Sequence, residues 1–260
     1  MYINLKETEY DNYIYRIISY ERLIEMFETR KNTLVKPKLW EDTFENFVLK
    51  SKLKFLDGSV ITLDTHERLY GQCWTISNAS DAMWRIYSHD KKSIRIRTTV
   101  GKLVSSLSIA NANGAMKEAC IGKVEYKSEA QIMALAKKAF TRNGQMTFGS
   151  LFRTLLVKRK AFEHEKEVRL IQLDWGNELP KNDIFSYEID PHELITQIMI
   201  DPRTSYQDFE IMKDNIRKKT GYEGDIKRSL LYRLPETVTL EIEQIFSNLN
   251  SQAPEGDASV

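Results

Sequence analysis

Gln72-Cys-Trp-Thr-Ile-Ser-Asn-Ala-Ser80-Asp-Ala-Met-Trp-Arg-Ile-Tyr87-Ser-His-Asp-Lys-Lys-Ser93-Ile-Arg-Ile-Arg-Thr98 decides the fold, because it reads as strand, helix, strand. Leu69 to Thr75 is short and rich in aromatic and β-favouring residues. Ser77 to Ser80 is polar punctuation with two candidate N-caps. Asp81 to Tyr87 then places Met83, Trp84 and Tyr87 at helical spacing. Ser93 to Thr98 alternates, with Ile94 and Ile96 on one face and Arg95 and Arg97 expected exposed on the other. Two large aromatics on a short helix between two strands make a rigid centre with polar edges.

Upstream, Tyr13 to Ile18 predicts a strand. Ser19 caps a helix that has Glu21 in its first turn and Leu23, Ile24 and Phe27 as its apolar stripe. Thr33 to Lys36 is extended, and Pro37 ends it. The loop Trp40-Glu-Asp42-Thr-Phe44-Glu45 mixes aromatics with acids, which suits either a site loop or a loop pinned to the core. Asp57-Gly58 is a turn before a strand at Ser59 to Leu63.

Downstream, helices are expected over Gly101 to Leu107, Ser128 to Phe140, Phe148 to Phe162 and Tyr206 to Lys219, the last ending at Gly221. The third of these puts Leu151, Leu155 and Leu156 inward and Arg153, Lys158, Arg159 and Lys160 outward. Strands are expected over Ile121 to Tyr126, Glu167 to Leu173, Phe185 to Ile189, Ile195 to Ile200 and Asp225 to Tyr232. Asn111 to Gly114 is a loop, and Arg142 to Gly144 breaks a helix. An amphipathic helix over Thr237 to Leu249 and a disordered tail over 251–260 complete the pattern. With no βαβ rhythm and no GxGxxG or GxxxxGK[ST] loop, the reading is α+β: a single domain over 1–250 with short mixed or antiparallel sheets and flanking helices.

A chain of 260 residues that is 42% hydrophobic can bury a sizeable core. Its 38 basic and 37 acidic residues leave a net charge of +1, so no global field draws it to nucleic acid or an anionic membrane. Cys73 and Cys120 lack the spacing of a zinc site or a disulfide framework, and no run is long and apolar enough to span a bilayer. The opening residues hold no apolar core of signal-peptide length. The expectation is a cytoplasmic protein with no membrane partner.

His66, His89, His164 and His192 stand in no metal-ligand spacing, and no G-x-S-x-G elbow is present. Cys73 lacks a neighbouring base, and a buried structural thiol is the commoner reading. Glu163-His-Glu-Lys-Glu-Val-Arg169 offers more. Alternation puts Glu165, Glu167 and Arg169 on one face where a strand begins, and paired carboxylates beside an arginine suit holding a ribose or activating a nucleophile. A solvated helix end is the alternative.

Five motifs in order resemble a bacterial family of uncharacterised proteins, the domain of unknown function 2971. They are Tyr15-Arg16-Ile-Ile-Ser19, the loop from Glu41-Asp42 to Glu45, Cys73-Trp74-Thr75, Met83-Trp84-Arg85-Ile86-Tyr87, and Glu165-Lys-Glu167-Val-Arg169. Together they run over roughly residues 13–235. Glu41 and Thr43 depart from the family's Asn and Pro, which leaves Asp42 and Glu45 as the safer correspondences.

The family layout is similar to that of ADP-ribosyltransferases, and the analogy implies a set of roles. Arg16 would anchor the ribose of NAD. Thr75 or a residue near Trp40 would orient nicotinamide against Trp84 or Tyr87. Glu165 or Glu167 would stabilise the positive charge that builds on the ribose. Tyr15, Ser19, Asp42, Glu45, Cys73, Trp74 and Arg169 complete the implied ligand-binding set, with no metal. The acceptor would be a macromolecule, protein or nucleic acid, in phage defence or a toxin system. Two other readings stand beside this one. The first is a non-catalytic ligand- or partner-binding module in which Trp84 and Tyr87 are core. The second is a metal-dependent nuclease built on Asp42, Glu45, Glu165 and Glu167.

Overall fold

The computed structural model describes residues 1–233 except positions 41, 46, 55–56, 63, 112–116, 141–145 and 177. The expected terminal helix and tail, and most of the two loop segments near 112 and 143, lie outside the described residues. In chain order the strands are β1 (Tyr2–Ile3), β2 (Tyr13–Ile18), β3 (Lys31–Val35), β4 (Lys52–Lys54), β5 (Val60–Thr62), β6 (Leu69–Thr75), β7 (Ile94–Thr99), β8 (Lys117–Lys123), β9 (Glu125–Lys127), β10 (Val157–Arg159), β11 (Glu167–Asp174), β12 (Ile184–Glu188), β13 (Gln197–Ile200) and β14 (Asp225–Arg228). The helices are α1 (Tyr20–Thr29), α2 (Asp81–Tyr87), α3 (Val100–Asn111), α4 (Glu129–Ala139), α5 (Phe148–Thr154), α6 (Pro191–Leu194) and α7 (Tyr206–Thr220).

The decisive stretch folds as read. β6 enters it, Ser80 caps α2 by accepting the Met83 N–H at 3.3 Å, and β7 leaves it. Ser19 caps α1 in the same way through the Arg22 N–H. Gly221 at φ 66° ends α7, a backbone conformation that costs glycine little.

Among the described residues ten strands join one sheet, in the order β1-β8-β11-β6-β2-β7-β13-β14, with β3 and β12 branching from β6. Most neighbours are antiparallel, while β1 with β8 and β13 with β14 are parallel. The fold class is therefore α+β with a mixed sheet. One face of the sheet packs Ile14, Ile94, Ile96, Val168, Leu170, Ile198 and Ile200 against α1, α3, α6 and α7. Burying each such side chain contributes about 1.5–3 kcal/mol. The other face, on the β8–β11–β6 side, packs Leu69, Cys120, Ile171 and Leu173 against α5 and the residues that follow it. β11 is thus covered on both faces, which is why Glu167 through Leu173 are all buried.

The sheet forks at β6. One edge of this strand pairs along its length with β11, from Glu167 opposite Thr75 to Leu173 opposite Leu69. The other edge meets β2 only at Tyr15–Thr75 and β3 only at Val35–Gly71. Side chains close part of the gap between β3 and β6. Gln72 Nε2 donates to Asn32 Oδ1 at 2.7 Å, Trp74 Nε1 donates to Gln72 Oε1 at 2.8 Å, and Asn32 Nδ2 donates to Tyr187 Oη at 2.8 Å. Each buried polar group here has a partner, as a low-dielectric interior demands.

Two expectations change on the β2–β7 side. Arg95 is not exposed. At 6% exposure its guanidinium lies 4.5 Å from the Tyr15 ring centroid and donates to the Asn78 carbonyl. Arg97 lies over Tyr13 at 4.1 Å. Cation–π contact with tyrosines of the neighbouring strand holds both arginines against the sheet rather than in water.

Candidate active site

The expected helix over 148–162 ends at Thr154, and Val157–Arg159 forms β10 beside Glu125–Lys127. The ladder to β9 overrides the helical spacing of the leucines, and it turns Lys158 inward instead of out to solvent. Lys158 then meets carboxylates from three separate segments. Its Nζ lies 2.9 Å from Glu45 Oε1, 2.8 Å from Glu167 Oε1 and 2.5 Å from Glu165 Oε2. Arg169, fully buried on β11, reaches Glu167 Oε2 at 2.6 Å and Glu45 Oε2 at 3.0 Å. It also donates to the Leu155 carbonyl at 2.8 Å and lies over the Trp40 ring at 4.5 Å.

Lys158, Glu45, Arg169 and Glu167 therefore form a closed ring of alternating sign. Two cations balance two anions, and Glu165 hangs from Lys158 as the surplus carboxylate. The electrostatics follow from this count. Burial alone would raise the Glu167 pKa, but the Arg169 charge and hydrogen bond, with Lys158, outweigh it and hold Glu167 well below the usual carboxylate range. Burial works against the charges of Lys158 and Arg169 too, and the ring carboxylates outweigh it in both, so both are held firmly protonated. Glu165 moves the other way. Burial, then its hydrogen bond to Glu167, pushes it up to about 8 against the pull of Lys158.

Three neighbours fix Glu165 and Glu167 in place. Thr75 Oγ1 donates to the Glu165 carbonyl at 2.6 Å and accepts the Ser77 N–H at 3.0 Å. Tyr126 Oη accepts the Glu167 N–H at 2.8 Å. Lys166, at φ 46°, provides the left-handed step between the 3-10 turn that ends at Glu165 and β11. Tyr87, at the end of α2 and 45% exposed, has its hydroxyl pKa raised by burial and by the facing Glu165. Arg203 ties that end of α2 to Asp201, donating to the Trp84 carbonyl at 2.9 Å and the Ser88 carbonyl at 2.6 Å.

The structure gathers some of the sequence-derived candidates and separates others. Tyr15, Thr75 and Glu167 share one rung across the adjacent strands β2, β6 and β11. Arg16 is next on β2, so alternation sends it to the opposite face, and Cys73 lies within its electrostatic reach. Burial lowers the Arg16 pKa, and among the described residues no carboxylate pairs with it. The Cys73 thiol is pushed far up by burial and then by Glu167, which makes it a poor nucleophile.

Trp74 and Trp84 are core, the first on the helix-covered face and the second beneath the Arg203 clamp. Ser19 spends its hydroxyl on capping α1. Asp42 pairs with Arg159 at 2.9 Å, outside the ring. The nuclease alternative rests on Asp42, Glu45, Glu165 and Glu167. Glu45, Glu165 and Glu167 do converge, but the Lys158 ammonium stands where a divalent ion would need to bind them, and Asp42 turns away. No group of three metal-ligating side chains is found among the described residues.

Trp40 shows how tightly the ring is enclosed. A Cβ added at Gly71 would stand 2.4 Å from Trp40 Cζ2. Gly71→Ala is expected to push the indole off Arg169 and to lower stability by about 1–3 kcal/mol in a urea melt. An unchanged midpoint would mean that the indole does not brace the ring.

The protein-family model described as "Protein of unknown function (DUF2971)" matches residues 83–170. The resemblance is to that family. The DUF2971 match takes in Met83–Tyr87 and Glu165–Arg169, and the other three motifs lie outside it. No curated protein matches the chain. Among solved structures, Thermus sp. 2.9 DarT in complex with NAD+ is similar at 10% identity, covering 84% of this chain and 96% of that one, with a TM-score of 0.37. Thermus sp. 2.9 DarT in complex with ADP-ribosylated ssDNA is similar at 11% identity, covering 88% and 98%, with a TM-score of 0.40. Among the described residues no helix is long and apolar enough to cross a membrane.

Lys158 is the member of the cluster that sequence reasoning placed in solvent. The signal available was the apolar run Leu155-Leu156-Val157 leading into Lys158-Arg159, only a few residues before the charged segment Glu163–Arg169.

Proposed function

We propose that this chain is a cytoplasmic ADP-ribosyltransferase-like enzyme that uses NAD and modifies a macromolecular acceptor, protein or nucleic acid, with phage defence or a toxin system as its setting. The observation that supports the reading best is the surplus carboxylate. Glu165 is the one carboxylate of the cluster in excess of the ring's two cations, sharing Lys158 with Glu45 and Glu167, and it faces the exposed Tyr87.

NAD, when bound, supplies an ADP-ribosyl group whose bond to nicotinamide breaks as positive charge develops on the ribose. Arg16, half-buried at the fork and without a carboxylate partner among the described residues, is a cation suited to its ribose or phosphates. Tyr87 offers a ring for nicotinamide. Ionised Glu165 would offset the developing charge and take the acceptor's proton, the task for which a carboxylate raised toward neutrality is suited. Glu167, matched by Arg169 and Lys158, keeps Glu165 in place.

Incubating the protein with labelled NAD and candidate acceptors tests this. Transfer should rise with pH through about 8, because only ionised Glu165 accepts a proton. Absence of transfer, together with no thermal stabilisation by NAD, would sink the reading. The burial of Glu165 favours the non-catalytic binding module as a second reading. Stabilisation by a protein partner, with none by NAD, would select it.

A further inference from the structure

An ammonium has three N–H donors and no acceptor. Lys158 donates to Glu165 and Glu167 and ion-pairs with Glu45, and the Phe162 ring lies 4.6 Å from its Nζ. This side chain is buried among its carboxylate partners rather than open to a substrate. Its three contacts are not equivalent. Glu45 and Glu167 each have Arg169 as a second cation, whereas Glu165 has Lys158 alone.

We infer that Lys158 is the positioning residue of Glu165, fixing the orientation of that carboxylate and supplying the charge that lets it ionise. The inference rests on the transferase reading for its purpose, and on the ring geometry alone for its substance. The titratable and charged groups facing Glu165 are Lys158 from β10, Glu167 from β11, Tyr87 from α2 and Tyr126 from β9. Among the described residues Lys158 is the one cation that faces Glu165. Glu45 and Arg169 act from one contact further away, Glu45 by drawing on Lys158 and Arg169 by drawing on Glu167.

Two substitutions should therefore move Glu165 in opposite directions. Lys158→Met removes its cation and should raise the pH at which it ionises by about one unit or more. Glu45→Gln removes a competitor for the Lys158 charge and should lower that pH. Lys158→Arg keeps the charge and should return the midpoint toward that of the unaltered protein. The direct readout is carbon-13 NMR titration of the Glu165 carboxyl in the ligand-free protein, assigned by comparison with Glu165→Gln, with circular dichroism to verify folding.

The same variants, assayed for transfer from labelled NAD, should carry their pH profiles along with the titration. For Lys158→Met the loss, about 10–100-fold, should fall on kcat with KM for NAD nearly unchanged. A Glu165 midpoint unmoved in Glu45→Gln and in whichever Lys158 variants fold overturns the inference. Shifted midpoints in a protein that never transfers label from NAD uphold the control of Glu165 by Lys158 and overturn the transferase reading only.

Discussion

Arg169→Met is expected to cost about 3–5 kcal/mol of folding stability, the largest loss from any single substitution in the cluster. Arg169 is fully buried, hydrogen-bonds Glu167 and the Leu155 carbonyl, and ion-pairs with Glu45. Without it two buried carboxylates share one ammonium with Glu165, and a backbone carbonyl loses its donor. One carboxylate must then take up a proton or draw in water, and the Trp40 indole loses the cation it covers.

Removing a complete pair should be far milder. Glu45→Leu combined with Arg169→Leu leaves Lys158 with Glu167 and Glu165, so the double variant should recover a good part of the loss. Urea melts of the two single variants and the double one measure this as a coupling free energy. Additive losses would mean that the four charges do not act as one ring.

The pH dependence of stability follows from the same two glutamates, with opposite signs. Glu167 has a depressed pKa, so its contribution is present above the ordinary 4.5 and is lost as pH falls toward its native value. Glu165 has a raised one, so its contribution is full below 4.5 and declines as pH rises through about 8.

The largest expected effect on activity belongs to Glu165→Gln. It keeps the size of the side chain and can still accept from Lys158, but it neither ionises nor takes a proton. Label transfer from NAD should fall by about 10²–10⁴-fold, with folding intact and the rise through about 8 abolished. Glu167→Gln should behave differently, breaking the ring and lowering stability first. If both variants lost activity to the same extent while remaining equally stable, the division of labour between the two carboxylates would be wrong.

Much of the scaffold was legible in the chain because local signals and the sheet agree. β2, β6 and α2 have the boundaries that alternation, Ser caps and aromatic spacing dictate. The adjacency of β2, β6 and β11 could be expected only through the motif resemblance, since strand order arises from contacts between residues far apart in sequence. Lys158 was lost for a related reason. Its three-residue strand has no periodicity of its own and exists because Glu125–Lys127 lies beside it.

The same limit applies to Glu45, whose loop gives no sign of the ion pair it makes with Arg169. Arg95 shows the converse. Alternation gave its face correctly, but only the facing tyrosine explains why it is buried.

One consequence of the forked sheet concerns distance. Tyr87 travels with the β7–β13 half, to which Arg203 bolts it, whereas Glu165 travels with β11. Between β6 and β2 a lone backbone bridge at Tyr15–Thr75 joins the halves, like a hinge pin. A few degrees of rotation there would change the separation of the Tyr87 ring from the Glu165 carboxylate, so whatever steadies that angle also sets the spacing of the two groups.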